Sequence, residues 1–96
     1  MIVDKGQEPG EVVTIKLTSG EELVTKLVET LPMHYVVSKP LVLTMGQQGI
    51  GMVPYLFTVH PSKDVRLAKA TVTVIANTDP DAAKQYLEST SGIKLA

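Results

Sequence analysis

The chain has 96 residues, which is enough for one small domain and too few for two. Hydrophobic residues make up 44% of it but aromatic residues only 4%, so the core must be built mainly from aliphatic side chains. The net charge of −1 excludes a strong overall attraction to nucleic acid or anionic lipid. Any nucleic-acid site must therefore be local, or created by placing copies side by side. Because the chain has no cysteine, disulfides, thiol catalysis and cysteine-ligated zinc are excluded.

Residues 1–11, MIVDKGQEPGE, contain two glycines, one proline and four charges, and we expect them to form a flexible N-terminal arm. They lack the apolar run of a signal peptide, and no stretch of the chain approaches transmembrane length. The expectation is a soluble cytoplasmic protein without a membrane partner, folded as one domain over residues 12–96.

Residues 12–30, VVTIKLTSGEELVTKLVET, are predicted to form a β-hairpin. A two-residue turn at Ser19–Gly20 would scatter the apolar positions over both faces. A three-residue loop over 18–20 instead pairs Ile15 with Leu23, and it puts Gly20 where such loops need a left-handed residue. The same register pairs Val13 with Thr25. The apolar face of the hairpin then consists of Val13, Ile15, Leu17, Leu23 and Leu27.

Four further segments are predicted after the hairpin. The β-rich run 34–44 is interrupted by Pro40, so it should be bent, bulged or at an edge there, and a turn over 45–51 follows it. Residues 52–59 are predicted as a strand that again carries a proline, Pro54. After the polar loop 60–64 come the short, apolar-flanked segment 65–67 and the strand 70–76. In the last strand, alternation puts Val72 and Val74 on one face and Ile75 on the other.

The pattern changes after Asn77 and predicts one amphipathic helix over residues 79–91. Thr78 or Asp79 is placed to cap its N-terminus, and Pro80 suits the first turn. Gly92 is placed to end it. One face of the helix carries Ala83, Tyr86, Leu87 and Thr90, and packs either on the chain's own sheet or on a neighbouring copy. The chain is therefore predicted to be mainly β: about five short strands in a small barrel, then one C-terminal helix.

Few residues could carry chemistry. The two histidines, His34 and His60, are 26 residues apart with no adjacent carboxylate, so we expect no metal site. GQQGIG precedes a strand and not a helix, which favours a plain turn over a phosphate-binding loop. The serines lack the context of a nucleophile elbow. The prediction is a protein that is not an enzyme and has no cofactor.

The hairpin resembles the first motif of the Sm-like family, the fold that also includes Hfq. Val13, Ile15, Leu17 and Gly20 match its first strand and glycine, and Leu23 and Leu27 match its second strand. Met33-His34 takes the place of the family's Met-Asn pair, and Val65-Arg66-Leu67 the place of its Ile-Arg-Gly. The resemblance spans residues 12–76. The proline-broken strands and the C-terminal helix are similar to divergent Sm-like proteins carried by phages, which act in the cytoplasm of the bacterial host.

The resemblance implies a strongly bent five-stranded Sm-like or SH3-like barrel whose copies join edge to edge into a ring of five to seven subunits. Single-stranded RNA would bind at the pore, where His34 would stack on or hydrogen-bond a base, Arg66 would supply a guanidinium and Lys69 would reach phosphate. The edge strands suggest an oligomer interface formed by Tyr55, Phe57, Val72 and Val74. The alternative is a structural or protein-interaction ring that binds no nucleic acid, with the apolar helix face as a docking surface.

Overall fold

The computed structural model of the chain describes residues 6–91, and these form an antiparallel six-stranded sheet followed by one helix. The strands are β1 (Val12–Leu17), β2 (Glu22–Thr30), β3 (His34–Gly46), β4 (Gly49–Pro54), β5 (Val65–Ala68) and β6 (Val72–Asn77). A 3₁₀ turn, Lys69–Thr71, joins β5 to β6, and helix α1 spans Pro80–Thr90. The strand order is β4-β3-β2-β1-β6, and β5 pairs with the first part of β3. The mainly β fold with a C-terminal helix is confirmed, with six strands where five were predicted.

The register of the first hairpin is confirmed. Ile15 pairs with Leu23 and Val13 with Thr25, and the loop between them is the three-residue loop 18–20. Gly20 has a φ of 109°, a left-handed conformation that residues other than glycine rarely adopt. The alternation therefore places the odd positions of β1 on one face of the sheet, together with Leu23, Thr25 and Leu27 of β2.

Both faces of the sheet are buried at its centre. The larger core lies on one face, which we call the inner face, and consists of Val13, Ile15, Leu17, Leu23, Leu27 and Val37. The opposite, outer face carries a smaller core in which Val24 and Leu41 pack against Tyr86 of α1. Burying one Leu or Ile side chain contributes about 1.5–3 kcal/mol. The inner core is therefore the main source of stability, and α1 covers only part of the outer face.

Strand β3 contains a bulge at the proline that was predicted to interrupt it. Val24 pairs with Leu41 and Lys26 with Ser38, so two steps along β2 correspond to three steps along β3. The extra residue allows Lys39 to take a left-handed φ of 51° just before Pro40. The bulge reverses the alternation of β3, which puts Val37 on the inner face and Leu41 on the outer face.

The bulge is also where α1 docks. The Tyr86 hydroxyl lies 2.8 Å from the Ser38 carbonyl oxygen and 3.1 Å from that of Lys39, and donates to them. It accepts a 3.1 Å hydrogen bond from the backbone N–H of Lys26. Burial raises the pKa of Tyr86 above its ordinary value, so the hydroxyl stays protonated as a donor. One phenol therefore satisfies backbone groups that the bulge leaves without a strand partner.

The helix prediction is confirmed with a correction to its packing face. Asp79 is the N-cap, accepting from the backbone N–H groups of Asp81 and Ala82, and Pro80 is the first helical residue. Gly92 lies outside the described residues. Tyr86 is 2% exposed and packs on the chain's own sheet, but Leu87 is 46% exposed. One residue turns a helix by about 100°, so the short contact with the sheet takes in Tyr86 and leaves Leu87 out.

The strand predicted over 52–59 is confirmed only at residues 52–54, because β4 ends at Pro54. Tyr55 still donates its N–H to the Pro40 carbonyl, but Pro40 has no N–H to return the bond. Beyond the bulge, β5 occupies that edge of β3. Residues 55–64 therefore form a loop, and Tyr55 and Phe57 lie in it and not in an edge strand.

The predicted alternation of the last strand is also wrong. Lys16 pairs with Val74 and Leu17 with Val72, so Thr73 is an extra residue in β6. Its hydroxyl donates to the Lys16 carbonyl oxygen at 3.1 Å. The bulge puts Val72 and Ile75 together against the inner core and leaves Val74 52% exposed.

The N-terminal arm was predicted over residues 1–11, and residues 1–5 of it lie outside the described residues. In its remainder, Gly10 donates its N–H to the Leu27 carbonyl at 2.7 Å, and Leu27 donates its N–H to the Glu11 carbonyl at 2.9 Å.

The helix in the described residues 6–91 is too short and too polar to cross a membrane.

Candidate nucleic-acid surface

Two of the residues predicted to bind RNA lie beside each other on the outer face. In the β3–β5 pair, His34 lies opposite Ala68 and Val36 lies opposite Arg66. His34 and Arg66 are therefore diagonal neighbours on one face, at a separation that long side chains can bridge. His34 is half-buried and Arg66 is exposed. The outer face thus carries one flat ring and one guanidinium as neighbours at this end of the β3–β5 pair.

The third residue, Lys69, lies at the same end of the β3–β5 pair but on the other face. Its ammonium is 5.2 Å from the centre of the Tyr35 ring, and Tyr35 packs against the inner core. Such a cation–π contact is worth about 0.5–1 kcal/mol at an exposed site. The contact holds Lys69 in place, so Tyr35 is a supporting residue that the sequence motif did not identify. The sequence feature that could have identified Tyr35 is its position directly after His34.

Backbone hydrogen bonds fix this end of the sheet. Lys69 donates its N–H to the Met33 carbonyl at 3.0 Å, and Leu31 donates to that of His34 at 2.8 Å. The Thr71 hydroxyl donates to the Ala68 carbonyl at 2.7 Å. We call the set His34, Tyr35, Arg66 and Lys69 the β3–β5 corner. Its backbone is held on both sides of β3, so these side chains start from defined positions.

One acidic residue lies close to the corner. Glu29 pairs with Val36, and Val36 pairs with Arg66, so the three residues form a row across β2, β3 and β5. Two strand spacings separate the backbones of Glu29 and Arg66 by about 10 Å. This distance is close to one Debye length at physiological ionic strength, so Glu29 weakens the attraction of an anion to Arg66.

The two outer edges of the sheet carry exposed apolar side chains. Within residues 6–91, β6 pairs only with β1, and β4 pairs only with β3. Val74 on β6 is 52% exposed, and on β4 Ile50 is 56% and Val53 is 41% exposed. No side chain of β6 is charged, so this strand lacks the lysines that protect natural edges from pairing with other chains.

The residues predicted for the oligomer interface are dispersed in the structure. Val72 is half-buried against the inner core, and Tyr55 packs on the same core from the 55–64 loop. Phe57, in that loop, is 84% exposed. Only Val74 is exposed on an edge strand, so it is the interface residue whose position best fits the prediction.

Among residues 6–91 no three His, Cys, Asp or Glu side chains are placed to hold a metal ion. The ring of His60 is hydrogen-bonded within its own loop, since its Nδ1 accepts the backbone N–H of Ser62 at 3.1 Å.

The chain matches no protein-family model, no curated protein and no solved structure. The function of the chain is therefore inferred from the geometry of its own residues.

Proposed function

We propose that this chain is a divergent Sm-like protein that assembles into a cyclic homo-oligomer and binds single-stranded RNA at the β3–β5 corner. The observation that carries the proposal is the placement of His34 and Arg66 as diagonal neighbours on an open face. Single-stranded RNA is recognised by stacking its bases on flat side chains and by cations near its phosphates. A histidine beside an arginine supplies both.

The order of elements supports the Sm-like assignment. The segment Val65-Arg66-Leu67 is a strand, and the chain passes from it through a 3₁₀ turn directly into its last strand. The first hairpin has the register and the left-handed glycine that its motif requires. In the proposal, the sheet curves around the inner core into a strongly bent barrel.

The exposed sheet edges support the ring. The outer edge of β6 from one copy would pair with the β4 edge of the next, so each subunit repeats one heterologous contact until the ring closes. A ring would place one Arg66 from each subunit around the pore. The repeated guanidinium would supply the positive charge that the single chain, at −1, lacks.

The test is fluorescence anisotropy with short uridine-rich and adenine-rich RNAs at two salt concentrations. His34→Ala should cost about 1–3 kcal/mol per stacked base, repeated in every subunit. Arg66→Ala should weaken binding and reduce the slope of log K against log salt by about 0.7 for each phosphate that is no longer neutralised. Lys84→Ala removes an exposed cation on α1 and should change neither quantity.

Glu29→Gln gives a gain-of-function arm. Removing the carboxylate from the row that contains Arg66 should strengthen RNA binding at low salt, and the gain should shrink at high salt as screening increases. If the wild-type protein binds neither RNA at tens of micromolar in low salt, the RNA proposal fails.

The alternative is a ring that binds another protein and no nucleic acid. The observation that favours it is the number of large apolar side chains that are exposed on both edges and in the 55–64 loop, since apolar patches on a small protein mark interaction sites. A native mass of several subunits without any RNA binding would select this function. A monomer at micromolar concentration would contradict both.

A further inference from the structure

A pocket of about 320 Å³ lies between the β3 bulge, the 55–64 loop and the end of α1. Its walls are aliphatic, formed by Pro40 and Leu41 of β3, Leu56 and Val59 of the loop, and Val65 of β5. Ser89 and Thr90 close the side formed by α1. A pocket of this size is at the lower end of the range for small-molecule sites.

All the ionisable residues that line this pocket are bases: Lys39, His60 and Lys63. The ammonium of Lys39 donates to the Thr90 carbonyl at 3.4 Å, which offsets the partial negative charge of the helix C-terminus. Lys39 therefore reduces the repulsion of an anion by the helix end, and an ammonium has three donors, so it can bind more than this carbonyl.

His60 presents a donor through its second ring nitrogen. Its Nδ1 accepts the backbone N–H of Ser62, an arrangement that favours the tautomer with the proton on Nε2. Ser62 Oγ lies 2.8 Å from the same Nδ1 and helps to hold the ring. The histidine is therefore oriented by its own loop, with Nε2–H as the group left to a ligand.

Lys39 is held in an unfavourable conformation at this place. Its φ of 51° is in the left-handed region, which costs a residue with a side chain roughly 1–2 kcal/mol. A glycine would avoid this cost. Strained residues of this kind occur most often at functional sites, and here the strained residue is one of the three bases of the pocket.

We propose that this pocket binds a small amphipathic anion, a carboxylate carried on a short aliphatic body. The bases would bind the carboxylate and the aliphatic walls would cover the body. A nucleobase fits less well, because His60 is the single aromatic ring among the residues found to line the pocket, and the walls are otherwise aliphatic. The site shares no residue with the β3–β5 corner, so it is a separate candidate site.

The test is a proton–nitrogen NMR titration with octanoate, and with octanamide as the matched neutral probe. Saturable shifts should be confined to residues 39–41, 54–65 and 89–90. Octanamide should bind at least about tenfold more weakly, because it cannot make the charge-assisted hydrogen bond. Leu56→Ser should weaken the binding of both probes, because it removes part of the wall that they share.

Two variants test the lysines of the pocket separately from folding, and a third is their control. Lys63→Gln is at an exposed position and should weaken octanoate binding about three- to tenfold, whereas Lys84→Gln on α1 should leave it unchanged. Lys39→Gly should weaken octanoate binding without lowering the free energy of unfolding, because glycine accepts the φ of 51°.

Three results would overturn the proposal. One is the absence of saturable shifts at millimolar octanoate, and another is equal affinity for octanoate and octanamide. The third is a set of shifts spread over exposed apolar residues elsewhere, such as Met45 and Ile50, which would show unspecific adsorption.

Discussion

Replacing Tyr86 with phenylalanine removes one hydroxyl group and keeps the ring that packs on Val24 and Leu41. The hydroxyl is the partner of the Lys26 N–H and of the carbonyls at the β3 bulge. The Ser38 carbonyl keeps a second donor, the Thr25 hydroxyl at 2.7 Å. The Lys26 N–H is therefore the backbone group that the variant affects most, because it loses its hydrogen bond to the hydroxyl.

The magnitude follows from these partners. A buried donor left unsatisfied costs about 1–3 kcal/mol, and a carbonyl that keeps another donor costs less. We therefore expect Tyr86→Phe to lower the free energy of unfolding by about 2 kcal/mol. For a domain of this size, this corresponds to a fall in melting temperature of about 8–16 °C.

The assay is urea unfolding at one fixed protein concentration, because association would otherwise contribute to the apparent stability. The midpoint should fall while the m value stays constant. Tyr55→Phe removes a phenol hydroxyl from a half-buried residue and should change the stability by less than about 0.5 kcal/mol. A Tyr86→Phe midpoint equal to that of the wild type would refute the role assigned to the hydroxyl.

Four further predictions concern stability and assembly. The raised pKa of Tyr86 means that its stabilising contribution is present below about pH 10 and lost as the pH rises through the folded-state pKa. Urea midpoints should thus fall more steeply above pH 10 in the wild type than in Tyr86→Phe, and parallel curves would contradict this. Gly20→Ala should cost about 1–2 kcal/mol in thermal unfolding, from backbone strain alone, because a Cβ there meets no atom within 4 Å. Asp79→Ala should cost about 1 kcal/mol and reduce the helical circular dichroism signal, since it removes the N-cap; an unchanged signal would argue against capping. Val74→Lys should lower the native mass in light scattering, whereas Gln85→Lys on α1 should not, and an unaltered mass in Val74→Lys would exclude β6 from the interface.

The candidate sites differ in how far the sequence predicted them. The motif resemblance selected His34 and Arg66, and strand pairing brings these two residues together on one face. It also selected Lys69, but the structure places this residue on the other face, with its ammonium above the ring of Tyr35. The pocket was not predicted, because its bases are distributed over a bulge and a loop whose approach depends on where β4 ends.

What the sequence determined by itself is the local structure. Alternation and one glycine determine the hairpin register around Ile15 and Leu23, and Asp79 with Pro80 determines the start of α1, because each depends on neighbours a few residues away. Pro40 indicated an interruption of β3, and the tertiary structure decided that this interruption is a bulge at Lys39. The tertiary structure also decided the bulge at Thr73, the end of β4 at Pro54 and the docking of α1. These depend on partners far along the chain: Tyr86 bonds Lys26 across 60 residues, and Thr73 bonds Lys16 across 57. Hydrogen bonds between residues so far apart in the sequence form only when the elements that carry them are already adjacent. No local sequence pattern therefore predicts them.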